Sequence, residues 1–402
     1  MRLGLLLLLC LLILMNAGLA RAAFTRTVVY VKMAGDTPDA PADVYQQDIP
    51  GNEPRLLIAH TALPSAFKGR IDSAQPSVDG RYLLLQESSG VIIRNPVTGA
   101  TRVALGGYYS FSGAEKVVGH FSGKPWLWER ASGKMRTLDV VGMHAQIVSA
   151  NLRWSPAGHA LLGVLKDKRA HKNSLAIYDP LTMHWRILRT VPGDTASSWM
   201  PDGKAVLSVE PGKGQARRFI VTPLSGASRL LFTFPHPFTA LTVSPNGRRF
   251  AMMVKPGILL LDAAGHILHT LKVPLDPDFP CGELAFSPQG ETLAILSEST
   301  TGEPHVQHHE ELWSADINTG KTQRITQWDV IFGSTEGGDP VHTLWDWTAD
   351  AENLLLIEQP GSHAGLEKEW RKLLRYPIMP GQPTTLLFDS GPYVLDMVCS
   401  CK

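Results

Sequence analysis

The sequence predicts an all-β fold, a β-propeller of four-stranded blades, on three observations. A short phrase recurs along the 402 residues, its copies are spaced in the forties, and each interval has room for two hairpins. The phrase is an aromatic or apolar residue, then Ser or Met, Pro, any residue and Gly, followed by an apolar run. Its clear copies are Trp154-Ser155-Pro156-Ala157-Gly158, Trp199-Met200-Pro201-Asp202-Gly203, Val243-Ser244-Pro245-Asn246-Gly247 and Phe286-Ser287-Pro288-Gln289-Gly290, with prolines 45, 44 and 43 residues apart. Degenerate copies at Pro76 to Gly80, Phe111 to Glu115 and Trp347 to Ala351 keep the strand-turn-strand rhythm and count as blades.

A second hairpin follows each phrase, usually with glycine at its tip, where a positive φ suits a tight turn. In chain order these run Val91 to Leu105, Pro125 to Leu138, Ser174 to Leu188, Phe219 to Leu231, Gly257 to Leu271, Leu312 to Ile325 and Leu373 to Leu387. An eighth, Val44 to Leu57, precedes every copy of the phrase and lacks a first hairpin. Single strands at Val28 to Met33 and Tyr393 to Val398 would complete it by pairing. The expectation is therefore eight blades closed by N- and C-terminal strands, with seven as the alternative, since closure removes edges open to aggregation. Trp126, Trp128, Trp154, Trp199, Trp313 and Trp347 fall at strand positions and read as packing between blades.

Phe286-Ser287-Pro288-Gln289-Gly290-Glu291, followed by Leu312-Trp313-Ser314-Ala315-Asp316-Ile317-Asn318-Thr319-Gly320-Lys321 and Arg324-Ile325-Thr326, resembles the WD-repeat-related propeller repeats of the TolB family. The resemblance covers nearly all of the chain after its first residues. It implies a propeller of the kind used as periplasmic docking platforms and as gating domains of prolyl-oligopeptidase-like enzymes, and fold alone assigns neither role. The chain departs from the family in having strand-like sequence where the family carries a small α/β domain. It also departs from the enzymes, because it holds no Gly-x-Ser-x-Gly nucleophile elbow.

Residues 1–22 read as a secretory signal peptide and 23–402 as a single propeller domain. Arg2 supplies the basic start, Leu3 to Met15 the apolar run, and Gly18, Ala20 and Ala22 the small residues of a cleavage site. The mature protein is expected outside the cytoplasm, periplasmic or secreted, without stable membrane insertion. Lys plus Arg number 38 against 37 Asp plus Glu, so net charge gives no case for nucleic acid as a partner. Cys281, Cys399 and Cys401 remain after cleavage, too few for a disulfide-built scaffold.

Four-stranded antiparallel blades put the Pro-Gly phrases and glycine tips on one face and the longer connections on the other, so the long-loop face is the expected site. Its candidates are the basic run containing Lys166, Lys168 and Arg169, the bracketing Trp328 and Trp345, and His342 and His363. Within it, His305, His309 and Glu311 share one side of an extended segment and form the candidate set for a divalent metal, such as zinc. The residues from Gly365 to Arg375 show helical spacing of apolar side chains, which predicts a short amphipathic helix. The expected function is an exported, non-enzymatic module that binds a protein or peptide. A metal-dependent propeller hydrolase or lyase, and a glycan-binding module using Trp328 and Trp345, are the alternatives.

Overall fold

The computed structural model describes residues 26–400 apart from 34–39, 50–52, 64–70, 78–80, 88–89, 106–108, 113–115, 122–123, 130–131, 139–144, 168, 194, 256, 276–280, 301–307, 331–339, 349, 361–369, 380–381 and 391–393. The signal-peptide reading of residues 1–22 lies outside this set. Near the start come β1 (Arg26–Met33), β2 (Ala42–Ile49) and β3 (Arg55–Ile58). The next two sheets are β4 (Ile71–Pro76), β5 (Leu83–Glu87), β6 (Gly90–Arg94) and β7 (Thr101–Leu105), then β8 (Tyr109–Ser112), β9 (Lys116–Phe121), β10 (Lys124–Glu129) and β11 (Met135–Thr137). There follow β12 (Ala145–Trp154), β13 (Leu161–Asp167), β14 (Lys172–Asp179) and β15 (His184–Val191), and β16 (Ala196–Trp199), β17 (Ala205–Pro211), β18 (Arg217–Pro223) and β19 (Arg229–Phe234). After them are β20 (Ala240–Val243), β21 (Arg249–Val254), β22 (Gly257–Asp262) and β23 (Ile267–Leu271), and β24 (Cys281–Phe286), β25 (Thr292–Thr300), β26 (His308–Asp316) and β27 (Thr322–Val330). The last sequential sheet is β28 (Pro340–Trp347), β29 (Asn353–Pro360), β30 (Lys372–Pro377) and β31 (Thr385–Asp389), and β32 (Val394–Ser400) ends the series.

These strands form eight antiparallel four-stranded sheets, a propeller-like all-β arrangement, and the described residues take the eight-unit count rather than seven. β32 pairs with β1, with Thr27 opposite Ser400 and Tyr30 opposite Met397, so the sheet containing the first strands draws its inner strand from the other end of the chain. The degenerate phrases each lead from the first strand of a sheet to the second, as their rhythm predicts.

The apolar runs explain the stacking. Leu161 and Leu165 face a cluster with Leu127 and Leu138 of the preceding sheet, while Leu162 and Val164 face Val206 of the following one. Period-two alternation thus feeds both faces of a central strand, and a strand buried on both faces reads as an unbroken apolar run. Among the described residues, each of eight hydrophobic clusters joins two successive sheets. Val28 and Tyr30 pack with Leu355 and Phe388, and Val29 and Val31 pack with Ile71 and Leu85, so the packing returns from the last sheet to the first. The tryptophans behave as the sequence predicts: Trp347 Nε1 donates to the Ala285 carbonyl of the preceding sheet, and Trp199 Nε1 to that of Arg153.

The recurring phrase is a turn with its own chemistry. In Ser287-Pro288-Gln289-Gly290 the Gly290 N–H donates to the Ser287 carbonyl at 2.8 Å, and the Ser287 hydroxyl accepts the Thr292 N–H at 3.1 Å. Proline presets the backbone of the second turn position, and the last takes φ +74°, open to glycine at little cost. Ser244, Ser155 and Ser77 repeat the hydroxyl contact, and Thr348 supplies it in the copy that lacks proline and glycine. There Ala351 occupies the glycine position at φ +59°. A left-handed conformation costs a residue with a Cβ about 1–2 kcal/mol, so Ala351→Gly is expected to raise stability by about 1 kcal/mol after glycine's larger unfolded-state entropy is subtracted. Urea unfolding checks this; an unchanged or lower midpoint contradicts it.

The helix expected from Gly365 to Arg375 is corrected at its C-terminal end, where Lys372–Pro377 is β30. Leu373 lies opposite Phe388 and Leu374 opposite Leu386, and the two leucines enter different interblade clusters. Sheet pairing outweighed the helical spacing, while 361–369 lie outside the described residues.

Candidate functional site

Strand direction divides the two faces of the stack. The Pro-Gly phrases lie on one face and touch from sheet to sheet: a Cβ on Gly203 would meet Pro156 at 3.5 Å, on Gly247 Met200 at 3.0 Å, and on Gly290 Pro245 at 3.4 Å. The phrases are therefore packed against one another. The opposite face receives the starts of β26, β28 and β30 and the ends of β25, β27 and β29. There the sheets β24–β27 and β28–β31 bring together ionisable and aromatic side chains that are distant in sequence.

His342, the third residue of β28, has a fully buried side chain. Its Nδ1 lies 2.7 Å from Glu310 Oε2, which also accepts the His342 backbone N–H at 3.1 Å. Its Nε2 faces Glu358 Oε2 at 3.4 Å without the alignment of a hydrogen bond, so attraction there is mainly between charges. Lys372 Nζ pairs with Glu358 Oε1 at 3.0 Å and sits 4.3 Å above the Trp370 ring. Trp328 stacks on His342 at 3.8 Å between centroids with an interplanar angle of 19°, and meets Tyr376 edge-on at 5.6 Å.

Burial works against the charged form of His342, but its bond to Glu310 and its charge interactions with Glu310 and Glu358 win and raise its pKa above the ordinary histidine value. The interaction with His342, helped by Lys372 and opposed by burial, holds the Glu358 carboxyl below its usual range. Burial, reinforced by Glu358, pushes the Tyr376 phenol up to about 12. Glu283 on β24 accepts the Leu344 N–H at 2.7 Å. Water reaches Glu283, yet protein crowding raises its pKa, the N–H of Leu344 opposes the rise, and the charges of Glu298 and Glu310 add to it.

Of the residues expected at this face, the structure brings Trp328 and His342 together. Lys166, near the end of β13, and Arg169, on the connection to β14, are exposed, in a sheet that does not adjoin these two. Lys168, His305 and His363 lie outside the described residues, and so does the side chain of Trp345 on β28. The expectation of a divalent-metal cofactor is corrected. Among the described residues no group of three or more His, Cys, Asp or Glu side chains is arranged to hold a metal ion. His309 Nδ1 lies 2.5 Å from Asp329 Oδ1, while Glu311 accepts from Arg324 at 3.0 Å and from Trp313 Nε1 at 3.2 Å. Alternation does place His309 and Glu311 on one side of β26, but the strand beside them supplies a partner for each. Trp328 is likewise engaged, stacked by His342 and met edge-on by Tyr376.

Glu310, Glu358 and Lys372 escaped the sequence reading. Glu310 stands 32 residues from His342, and no local spacing marks the pair. Only the stacking of two sheets makes them neighbours.

The sheets define a propeller-like all-β chain. No family model matches the sequence, and no curated protein does. Among solved structures the chain is similar to a eukaryotic initiation factor, at 12% identity and a TM-score of 0.59 over 94% of this chain and 99% of that one. It is also similar to dipeptidyl peptidase 4 of Porphyromonas gingivalis, at 11% identity and a TM-score of 0.61 over 88% of this chain and 58% of that one. TolB of Acinetobacter baumannii matches at 14% identity over 74% of this chain and 63% of that one, but with a TM-score of 0.34. The resemblance to TolB repeats thus reduces to a distant likeness among propeller folds. Likeness at these identities concerns the fold, and one scaffold of this kind carries many unrelated functions.

Proposed function

We propose that this protein is an exported, non-enzymatic binding module whose eight blades close into a ring through β1 and β32 and whose long-loop face takes a protein or peptide partner. The observation that carries this reading is the asymmetry of the two faces: on one, the Pro-Gly phrases pack against one another, and the other receives the longer connections of the chain and carries exposed Lys166 and Arg169. Loops held on a rigid scaffold are where binding residues concentrate. The buried ionisable groups described above are paired with one another, which suits a structural role for them better than a catalytic one. No described helix is long and apolar enough to cross a membrane.

The test is a crosslinking capture from the native cell envelope with three forms of the mature protein: unaltered, Lys166→Glu with Arg169→Glu, and Leu181→Asp. Leu181 is 86% exposed at a tip on the other face. The expected result is a discrete partner whose capture falls about tenfold or more with the charge reversal, the equivalent of 1.4 kcal/mol, and is kept by Leu181→Asp. Loss with Leu181→Asp alone moves the site to the other face, and failure of all three forms to retain any partner overturns the binding reading.

A further inference from the structure

The contact between the β24–β27 and β28–β31 sheets lines up four ionisable groups: Glu310 on β26 and His342 on β28, both buried, and the partly buried Glu358 on β29 and Lys372 on β30. With His342 as imidazolium the four carry two negative and two positive charges. With His342 neutral, one negative charge is left over in a buried setting, which is costly. The ring geometry says the same. Each nitrogen faces a carboxylate oxygen, and a neutral imidazole has only one N–H, so one lone pair would confront a carboxylate.

We propose that this seam is a proton-operated latch, in which imidazolium His342 ties Glu310 of one sheet to Glu358 of the next and loss of its proton loosens the contact at the long-loop face. The surrounding groups set the direction. Glu298 stands opposite Glu310 on β25, Glu283 on β24 adds its field, and Tyr376 on β30 and Asp389 opposite Lys372 on β31 complete the titratable surroundings, with Trp328 of β27 closing the ring face against water. The carboxylates of Glu310 and Glu358 face the two ring nitrogens of His342, so the environment favours the cation.

The sign follows from linkage. A histidine whose folded pKa is raised contributes stability in full below its unfolded value of about 6.5, and that stability is lost as pH rises through the folded value. Glu283, also raised, works in the same direction. Glu358 is lowered, so its contribution is lost only in acid, on the far side of the carboxylate range from the latch. The latch acts on the seam itself, whatever binds on the face above it.

The test is histidine-selective NMR on the intact mature protein from about pH 5.5 to 9, together with amide hydrogen exchange corrected for intrinsic rates. The amides of His342 and Leu344, which donate to Glu310 and Glu283, report the seam, and that of Met252, buried in β21, is the control. The expected result is a His342 ring protonated on both nitrogens at about pH 6.5, titrating above that value, with protection at the two seam amides falling about tenfold or more relative to Met252 across the titration. Glu358→Gln is expected to move the ring midpoint downward, and His342→Gln to remove the pH dependence of the protection ratio. A ring already neutral at about pH 6.5, or a protection ratio that is flat with pH in the unaltered protein, overturns the proposal even where the variants fail to fold.

Discussion

Deleting residues 393–402 is expected to cost more stability than any single substitution, because it removes β32, the partner of β1. Six positions of β1 pair with β32, from Thr27 opposite Ser400 to Lys32 opposite Val394. At about 1 kcal/mol net for each backbone hydrogen bond, the ladder alone accounts for about 5 kcal/mol. The packing loss adds to this, since β1 supplies Val28 and Tyr30 to one neighbouring sheet and Val29 and Val31 to the other. The deletion also leaves β1 as an open edge, a template for pairing with a second chain. The expected outcome is a large fall in melting temperature together with concentration-dependent self-association. A truncated protein that melts with the full-length chain and stays monomeric contradicts the closure.

Removing the Arg189 side chain is expected to be the most damaging single change among the seams. Arg189 on β15 reaches into the β16–β19 sheet, where Nε donates to Thr222 Oγ1 at 3.0 Å and Nη2 to Ser208 Oγ at 2.5 Å and to Glu210 Oε1. Glu210 is 3% exposed, and Ser208 is fully buried. Arg189→Ala leaves the Glu210 carboxylate buried with only the Ser208 hydroxyl, 3.3 Å away. Breaking a buried pair by deleting one partner costs about 3–5 kcal/mol, most of it the stranded charge. Two further variants separate charge from shape. Arg189→Lys keeps the charge but loses the fork that spans Thr222, Ser208 and Glu210, so recovery should be partial. Arg189→Met combined with Glu210→Leu removes both charges and should recover more than the single deletion does. Urea unfolding of the set measures each difference, and a loss below about 1 kcal/mol for Arg189→Ala would show that the pair contributes no more than a surface ion pair.

The repeating units were legible in the sequence because each is built locally. Ser287, Pro288 and Gly290 form their turn within six residues, and the apolar runs that follow need only period-two alternation to serve both faces of a strand. The pairing of β1 with β32 was legible for a different reason: a hairpin without its first half, and one spare strand near each end, leave a single economical arrangement. The segment before β30 was misread at its C-terminal end, where Leu373 and Leu374 fit helical spacing and strand alternation equally and only their opposite clusters decide between them.

The candidate site divides along the same physical line. The chain by itself determined the turn chemistry and the repeating unit, both set by residues within a few positions of one another, while the choice of eight units over seven waited on the pairing of β1 with β32. Its histidine-rich stretch suggested a metal because three potential ligands, His305, His309 and Glu311, stood close in sequence. The tertiary structure gave His309 to Asp329 and Glu311 to Arg324, partners 20 and 13 residues away, and used the intervening Glu310 to hold His342. Which charges are buried, and against what, depends on how two neighbouring sheets are laid face to face. That choice is made by the summed packing of both apolar faces, a quantity no local spacing records.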